Sequence, residues 1–194
     1  VVNFPAGGSD VKATMRETKQ VVSEGADEVD LVIPIDALKS GDTETARHMV
    51  STIRAVTHNQ ALLKVIIEAG ELSQENLIRE ASVIALEEGA DFIKTSTGKE
   101  AINATLPVSL TMVRALRDYR DLTGFDIGFK PAGGLSTAKD AMTWMFLMKE
   151  EMGLPWLQPD LFRIGASSLL GDIERQLEHH VTGRYAASHR HALA

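Results

Sequence analysis

Short apolar, β-branched runs alternate with stretches of helical periodicity along the whole chain. That alternation limits the fold more than any other feature, because strands separated by helices pair in parallel. It also repeats a local sequence. Glu24-Gly25-Ala26-Asp27 leads into Val29-Asp30-Leu31-Val32-Ile33-Pro34, and Glu88-Gly89-Ala90-Asp91 leads into Phe92-Ile93-Lys94. In each, the glycine is expected to end a helix just before a strand begins.

The remaining segments follow the same order. Ser9 or Asp10 can cap a helix reaching about Glu24. Lys39 to Asp42 is a turn, followed by one apolar stripe through Ala46, Met49, Val50, Ile53 and Val56. Ala61 to Glu68 is a strand with Lys64 inside it. Ser73 is expected to cap the next helix, whose stripe is Leu77, Ala81, Ile84 and Ala85. Pro107 suits the first turn of a helix with Met112, Val113 and Leu116 inward. Asp126 to Pro131 is a strand carrying Lys130. Thr137 and Asp140 resemble a capping arrangement for a helix ending near Met152, with Met142, Met145, Met148 and Trp144 expected in the core. Leu161 to Gly165 is the last strand. Ser167 or Ser168 is expected to cap the last helix, with Leu170, Ile173 and Leu177 on its stripe. Residues 182–194 form a polar, loose tail.

This pattern predicts an α/β protein, a TM-free TIM (β/α)8 barrel rather than a doubly wound sheet, since no dinucleotide glycine fingerprint follows a strand. Five full strands and a fragment at Val1 are countable. A closed eight-stranded barrel has roughly 250 residues. The expectation is a one-domain barrel lacking about its first two βα units, in keeping with a sequence that opens on Val1-Val2-Asn3-Phe4-Pro5.

Composition narrows the function. The net charge is −7, so no broad basic face is available for nucleic acid or a membrane surface. A local cationic pocket for one small phosphate remains compatible. The chain has no cysteine, which excludes disulfides and thiolate chemistry. No apolar run reaches membrane-spanning length and no signal peptide is recognisable, so a cytoplasmic protein is expected. His48, His58, His179, His180, His189 and His191 make no metal-ligand spacing, and neither metal nor cofactor is expected.

Strand C-terminal ends carry the active site in such barrels. Asp30, Lys64 (with Glu68 at the end of its strand), Lys94 and Lys130 present charge there. Lys64 reads as a lysine snorkelling from the rim. Lys94 and Lys130 lie in apolar strands that should be neighbours, where burial and mutual repulsion lower an ammonium pKa. A neutral lysine attacks carbonyls to form a Schiff base. Asp30 either shuttles protons or is a structural ion-pair partner. Three glycine-bearing loops follow successive strands: Thr97-Gly98-Lys99, Gly133-Gly134 and Gly165-Ala166-Ser167-Ser168. Together they suit a phosphate held on backbone N–H groups.

These residues carry a resemblance. Residues 25–30 (Gly-Ala-Asp-Glu-Val-Asp), 62–68 (Leu-Leu-Lys-Val-Ile-Ile-Glu), 92–99 (Phe-Ile-Lys-Thr-Ser-Thr-Gly-Lys), 128–134 (Gly-Phe-Lys-Pro-Ala-Gly-Gly) and 165–168 (Gly-Ala-Ser-Ser) closely resemble, in order, the deoxyribose-phosphate aldolase family. The resemblance implies a class I aldolase, commonly a homodimer, that reversibly cleaves 2-deoxy-D-ribose 5-phosphate to glyceraldehyde 3-phosphate and acetaldehyde in deoxynucleoside breakdown. It implies Lys94 as the Schiff-base lysine, Lys130 as its perturber, and Asp30 as a proton relay with Lys130 through water. Gly98, Lys99, Gly133, Gly134, Gly165, Ser167 and Ser168 would hold the phosphate. Two departures stand out. The family's early strands are absent, and Ser136 follows Leu135 where members often carry a basic residue. Tyr185 is a candidate for the family's tail tyrosine that reaches the site. The alternative is an inactive barrel fragment that only binds a sugar phosphate or a partner chain.

Overall fold

The computed structural model describes residues 1–187 and residue 190. Its core is a parallel sheet of β1 (Glu28–Val32), β2 (Leu62–Ile66), β3 (Phe92–Lys94) and β4 (Gly128–Lys130), in sequence order. The strands are joined by helices. These are α1 (Val11–Ser23), α2 (Ile35–Lys39), α3 (Thr43–Thr57), α4 (Ala69–Leu72), α5 (Glu75–Glu87), α6 (Leu106–Thr123), α7 (Ala138–Met152) and α8 (Leu169–Thr182). Sequential, parallel strand order with a helix after each strand is the arrangement of a (β/α) barrel wall. Among the described residues, that wall is partial.

Helix boundaries follow from local chemistry. The Asp10 side chain accepts the Ala13 N–H at the start of α1, and Thr137 and Asp140 form a reciprocal capping box on α7. Outward residues of the strands, such as Leu31, Val65, Ile93 and Phe129, join Ala46, Met49, Val50, Ile53, Ala81, Ile84, Met112 and Leu116 in one buried cluster. Neighbouring helices then pack in pairs, α1 on α3, α5 on α6 and α6 on α7.

Several expectations are corrected. Ser73 does not cap α5. It closes the short helix α4 with φ 54°, and Gln74 precedes α5 without a side-chain cap bond. Ser168 stands at the N-cap of α8 but its side chain caps nothing. The inner stripe of α7 is Ala141, Met148 and Met152 with Trp144 half-buried, so Met142 and Met145 lie on the outer face. Leu170 and Leu177 of α8 are exposed as well.

The last expected strand, Leu161 to Gly165, is reduced to two isolated bridges, Phe129 to Phe162 and Ala132 to Gly165. The cause is Pro131. Phe129 N–H bonds Leu161 O, Arg163 N–H bonds Phe129 O, and Gly165 N–H bonds Pro131 O. The rung between them needs an N–H at position 131, which proline lacks. On the other side, Val2 pairs with Leu31 through a single bridge, so the fragment at Val1 does lie beside β1. The expected loose tail falls partly on residues 188, 189 and 191–194, including His189 and His191, which lie outside the described residues.

Candidate active site

The strand register stacks the inward-facing side chains in layers. Asp30, Lys64, Phe92 and Gly128 are register partners, and so are Ile66, Lys94 and Lys130 one layer closer to the strand C-termini. Side chains alternate across a strand, so both layers point to the same face. Gly128 is required there. A Cβ at that position would lie 2.2 Å from the Phe92 ring, so the missing side chain of one strand makes room for the aromatic ring of the next.

Lys94 and Lys130 meet on one carboxylate. Each donates from Nζ to Asp30 Oδ2 at 2.8 Å. Burial pushes the Asp30 carboxyl up, but Lys94 and Lys130 together more than offset it and hold it well below the usual carboxylate range. Asp30 therefore stays charged. Lys94 is 7% exposed. Burial is the main cause of its lowered pKa, Asp30 opposes the shift, and Lys130 and Lys64 add to it. The lysine pair read from the sequence is thus brought together with Asp30 between its members, and desolvation outweighs their mutual repulsion.

Lys64 does not snorkel. It is 1% exposed and lies inside the barrel, paired with Glu28 and 3.3 Å from Asp30 Oδ1. Arg163 closes the other side of Glu28 at 3.0 Å. The Glu28 carboxyl is pushed up by burial and, more strongly, down by Lys64 and Arg163, for a net lowering. Both cations flank the Phe92 ring, 5.7 Å and 5.6 Å from its centre. A linked row of charges therefore runs beneath the Lys94 layer.

Above that layer is a cavity of about 390 Å³, within the size range of small-ligand sites. Lys94 and Lys130 reach into it, and three loops surround it: Thr97, Gly98 and Lys99, then Gly133, Gly134 and Leu135, then Gly165, Ala166 and Ser167. Thr95 ties two of these loops together. Its hydroxyl accepts the Ala132 N–H at 2.9 Å, and its own N–H donates to Lys130 O at 3.2 Å. Gly133 has φ 85°, and a Cβ there would lie 2.6 Å from Asn103, so only glycine fits.

The DeoC/LacD family aldolase profile matches residues 1–169. The chain belongs to the DeoC/LacD aldolase family.

Curated relatives agree with that assignment. The chain is 51% identical to the deoxyribose-phosphate aldolase of Mus musculus and 50% identical to that of Homo sapiens, over 96% of this chain in both cases. It spans 58% of the length of each. A crystal structure of a Toxoplasma gondii ME49 protein, assigned as a deoxyribose-phosphate aldolase, superposes with a TM-score of 0.82 at 29% identity, covering 94% of this chain and 71% of that one.

Within this aldolase-family site, some sequence-based candidates lie apart. Ser168 is exposed and does not line the cavity. Ser136 is exposed at the start of α7, where its N–H donates to Asp140. Tyr185 stacks on His179 with ring centres 4.1 Å apart and is 64% exposed, so it does not reach the cavity. Sequence reasoning missed Leu135 and Ala132 as lining residues, because apolar side chains carry no chemical signature. It also missed Glu28 and Arg163 as the partners that bury Lys64. An apolar strand containing Lys64, with Glu28 two residues before Asp30, was the available signal.

Proposed function

We propose that the protein is a class I aldolase that reversibly cleaves 2-deoxy-D-ribose 5-phosphate to glyceraldehyde 3-phosphate and acetaldehyde. The carrying observation is a buried lysine of lowered pKa, Lys94, bonded to Asp30 beside Lys130 at the floor of a glycine-looped cavity. In this reading the neutral Lys94 amine adds to the aldehyde carbon C1, and loss of water gives the Schiff base. The C3 hydroxyl then loses its proton, the C2–C3 bond breaks, and its electron pair passes toward the iminium. Glyceraldehyde 3-phosphate leaves, C2 of the resulting enamine gains a proton, and hydrolysis frees acetaldehyde and Lys94. Asp30 and Lys130 relay these protons through water. Gly98, Lys99, Gly133, Gly134, Gly165 and Ser167 hold the phosphate, with backbone N–H groups and one ammonium as donors; Ser168 would contribute only through its position at the start of α8.

The intact Lys94–Asp30–Lys130 arrangement favours this reading over a fragment that only binds ligands. The same resemblance carries a homodimer in the cytoplasm, checked by light scattering and cell fractionation. Borohydride reduction with acetaldehyde tests the chemistry. It is expected to add one ethyl group to Lys94. No adduct, or an adduct that survives Lys94→Ala, overturns the proposal.

A further inference from the structure

Glu68 is a charged residue that the aldolase chemistry does not use. It stands between β2 and α4, is 1% exposed, and adopts the left-handed conformation with φ 51° and ψ 56°. That conformation is unfavourable for a residue with a Cβ. Burying a carboxylate is unfavourable too. Both costs fall on one residue, and its contacts say what they secure.

Its Oε2 accepts the backbone N–H of Thr97 at 3.0 Å, while Oε1 is buried without a partner. Thr97 passes the restraint on, because its hydroxyl accepts the Lys99 N–H at 3.1 Å. Thr97, Gly98 and Lys99 form one wall of the cavity. The backbone around Glu68 is locked to the same segment. Ile67 N–H bonds Lys94 O at 2.9 Å and Ala69 N–H bonds Thr95 O at 3.0 Å. At Gly70, a Cβ would sit 2.0 Å from Ile102 O, so α4 and the far end of the loop are also in close contact. The turn after β2 thus clamps the loop after β3 at both ends.

We propose that Glu68 is a positioning residue for phosphate recognition, holding the Thr97 N–H so that the Gly98–Lys99 turn presents its donors to the phosphate end of the substrate. This rests on the reading of the cavity as a sugar-phosphate site. Glu68 touches neither Lys94 nor the carbon undergoing attack, so its loss separates binding from covalent chemistry.

The experiment compares the wild-type protein with E68A, E68D and E68Q in three assays: cleavage of 2-deoxyribose 5-phosphate, inhibition by inorganic phosphate, and borohydride trapping of acetaldehyde, which carries no phosphate. E68A and E68D are expected to raise KM and the phosphate inhibition constant about tenfold, the loss of one buried hydrogen bond. Acetaldehyde trapping is expected to stay within about twofold of wild type, and E68Q, whose amide oxygen still accepts from Thr97, within about threefold in every assay. If E68A fails to fold, the contrast between E68D and E68Q carries the test. Unchanged phosphate inhibition in E68A and E68D, an equal loss of acetaldehyde trapping, or an E68Q as weak as E68D overturns the role of Glu68. A wild-type protein that neither traps acetaldehyde nor responds to phosphate overturns the aldolase reading itself, and this inference with it.

Discussion

Asp30 holds Lys94 back from the full effect of burial. Its charge raises the Lys94 pKa, against the lowering by burial and by two neighbouring ammonium groups. In the proposed mechanism the nucleophile is the neutral amine, present above that pKa. Replacing Asp30 with Asn removes the one influence that favours the protonated form, so the pKa falls further and neutral amine persists to lower pH. In Asp30→Asn the acidic limb of acetaldehyde trapping is expected to move to lower pH, while turnover of the sugar phosphate is expected to drop by about a hundredfold or more as the proposed proton relay is lost. An acidic limb that stays in place would show that Asp30 does not govern the amine. Lys94, Lys130 and Asp30 were legible in the sequence because a charge inside a short apolar strand has few ordinary explanations. Lys64 has the same local signature but a different outcome. What sets it apart is its pairing with Glu28, which Arg163 closes from far along the chain.

Among the elements, β3 and β4 depend on a size exchange, the Phe92 ring filling the space that Gly128 leaves. Gly128→Ala is expected to destabilise the protein by about 1–3 kcal/mol through overpacking, read as a lower urea midpoint. A wild-type midpoint would mean that the ring can move aside at no cost. Element order and most helix caps were readable, since Asp10, Pro107 and Thr137 act within one turn of their position. The readings that failed depend on distant partners. Ser73 reads as a helix start, yet Glu68 and Ser73 both turn left-handed and enclose α4 between them. Leu161 to Gly165 reads as a full strand, and its own residues permit one; the obstacle is Pro131, directly after β4.

Across the whole molecule, the negative overall charge coexists with a cavity where Lys94, Lys99 and Lys130 converge. The barrel class was visible from strand–helix alternation, because each unit is local. The exposed apolar faces of α7 and α8 were not, because a periodic stripe shows that a face is apolar and not whether anything packs on it. Pro131 also has a consequence for motion. It divides the seam between β4 and the Leu161–Gly165 segment into two independently bonded halves. One half, at Phe129 and Arg163, is anchored in the barrel floor; the other, at Gly133 and Gly165, belongs to the rim. With that rung missing, the rim half is expected to open without disturbing the register of the floor beneath Lys130, as an expansion joint would allow. Hydrogen–deuterium exchange followed by NMR is expected to show the Gly133 and Gly165 amides exchanging about tenfold or more faster than those of Phe129 and Arg163. Equal protection at all four would mean that rim and floor open together, as one uninterrupted ladder does.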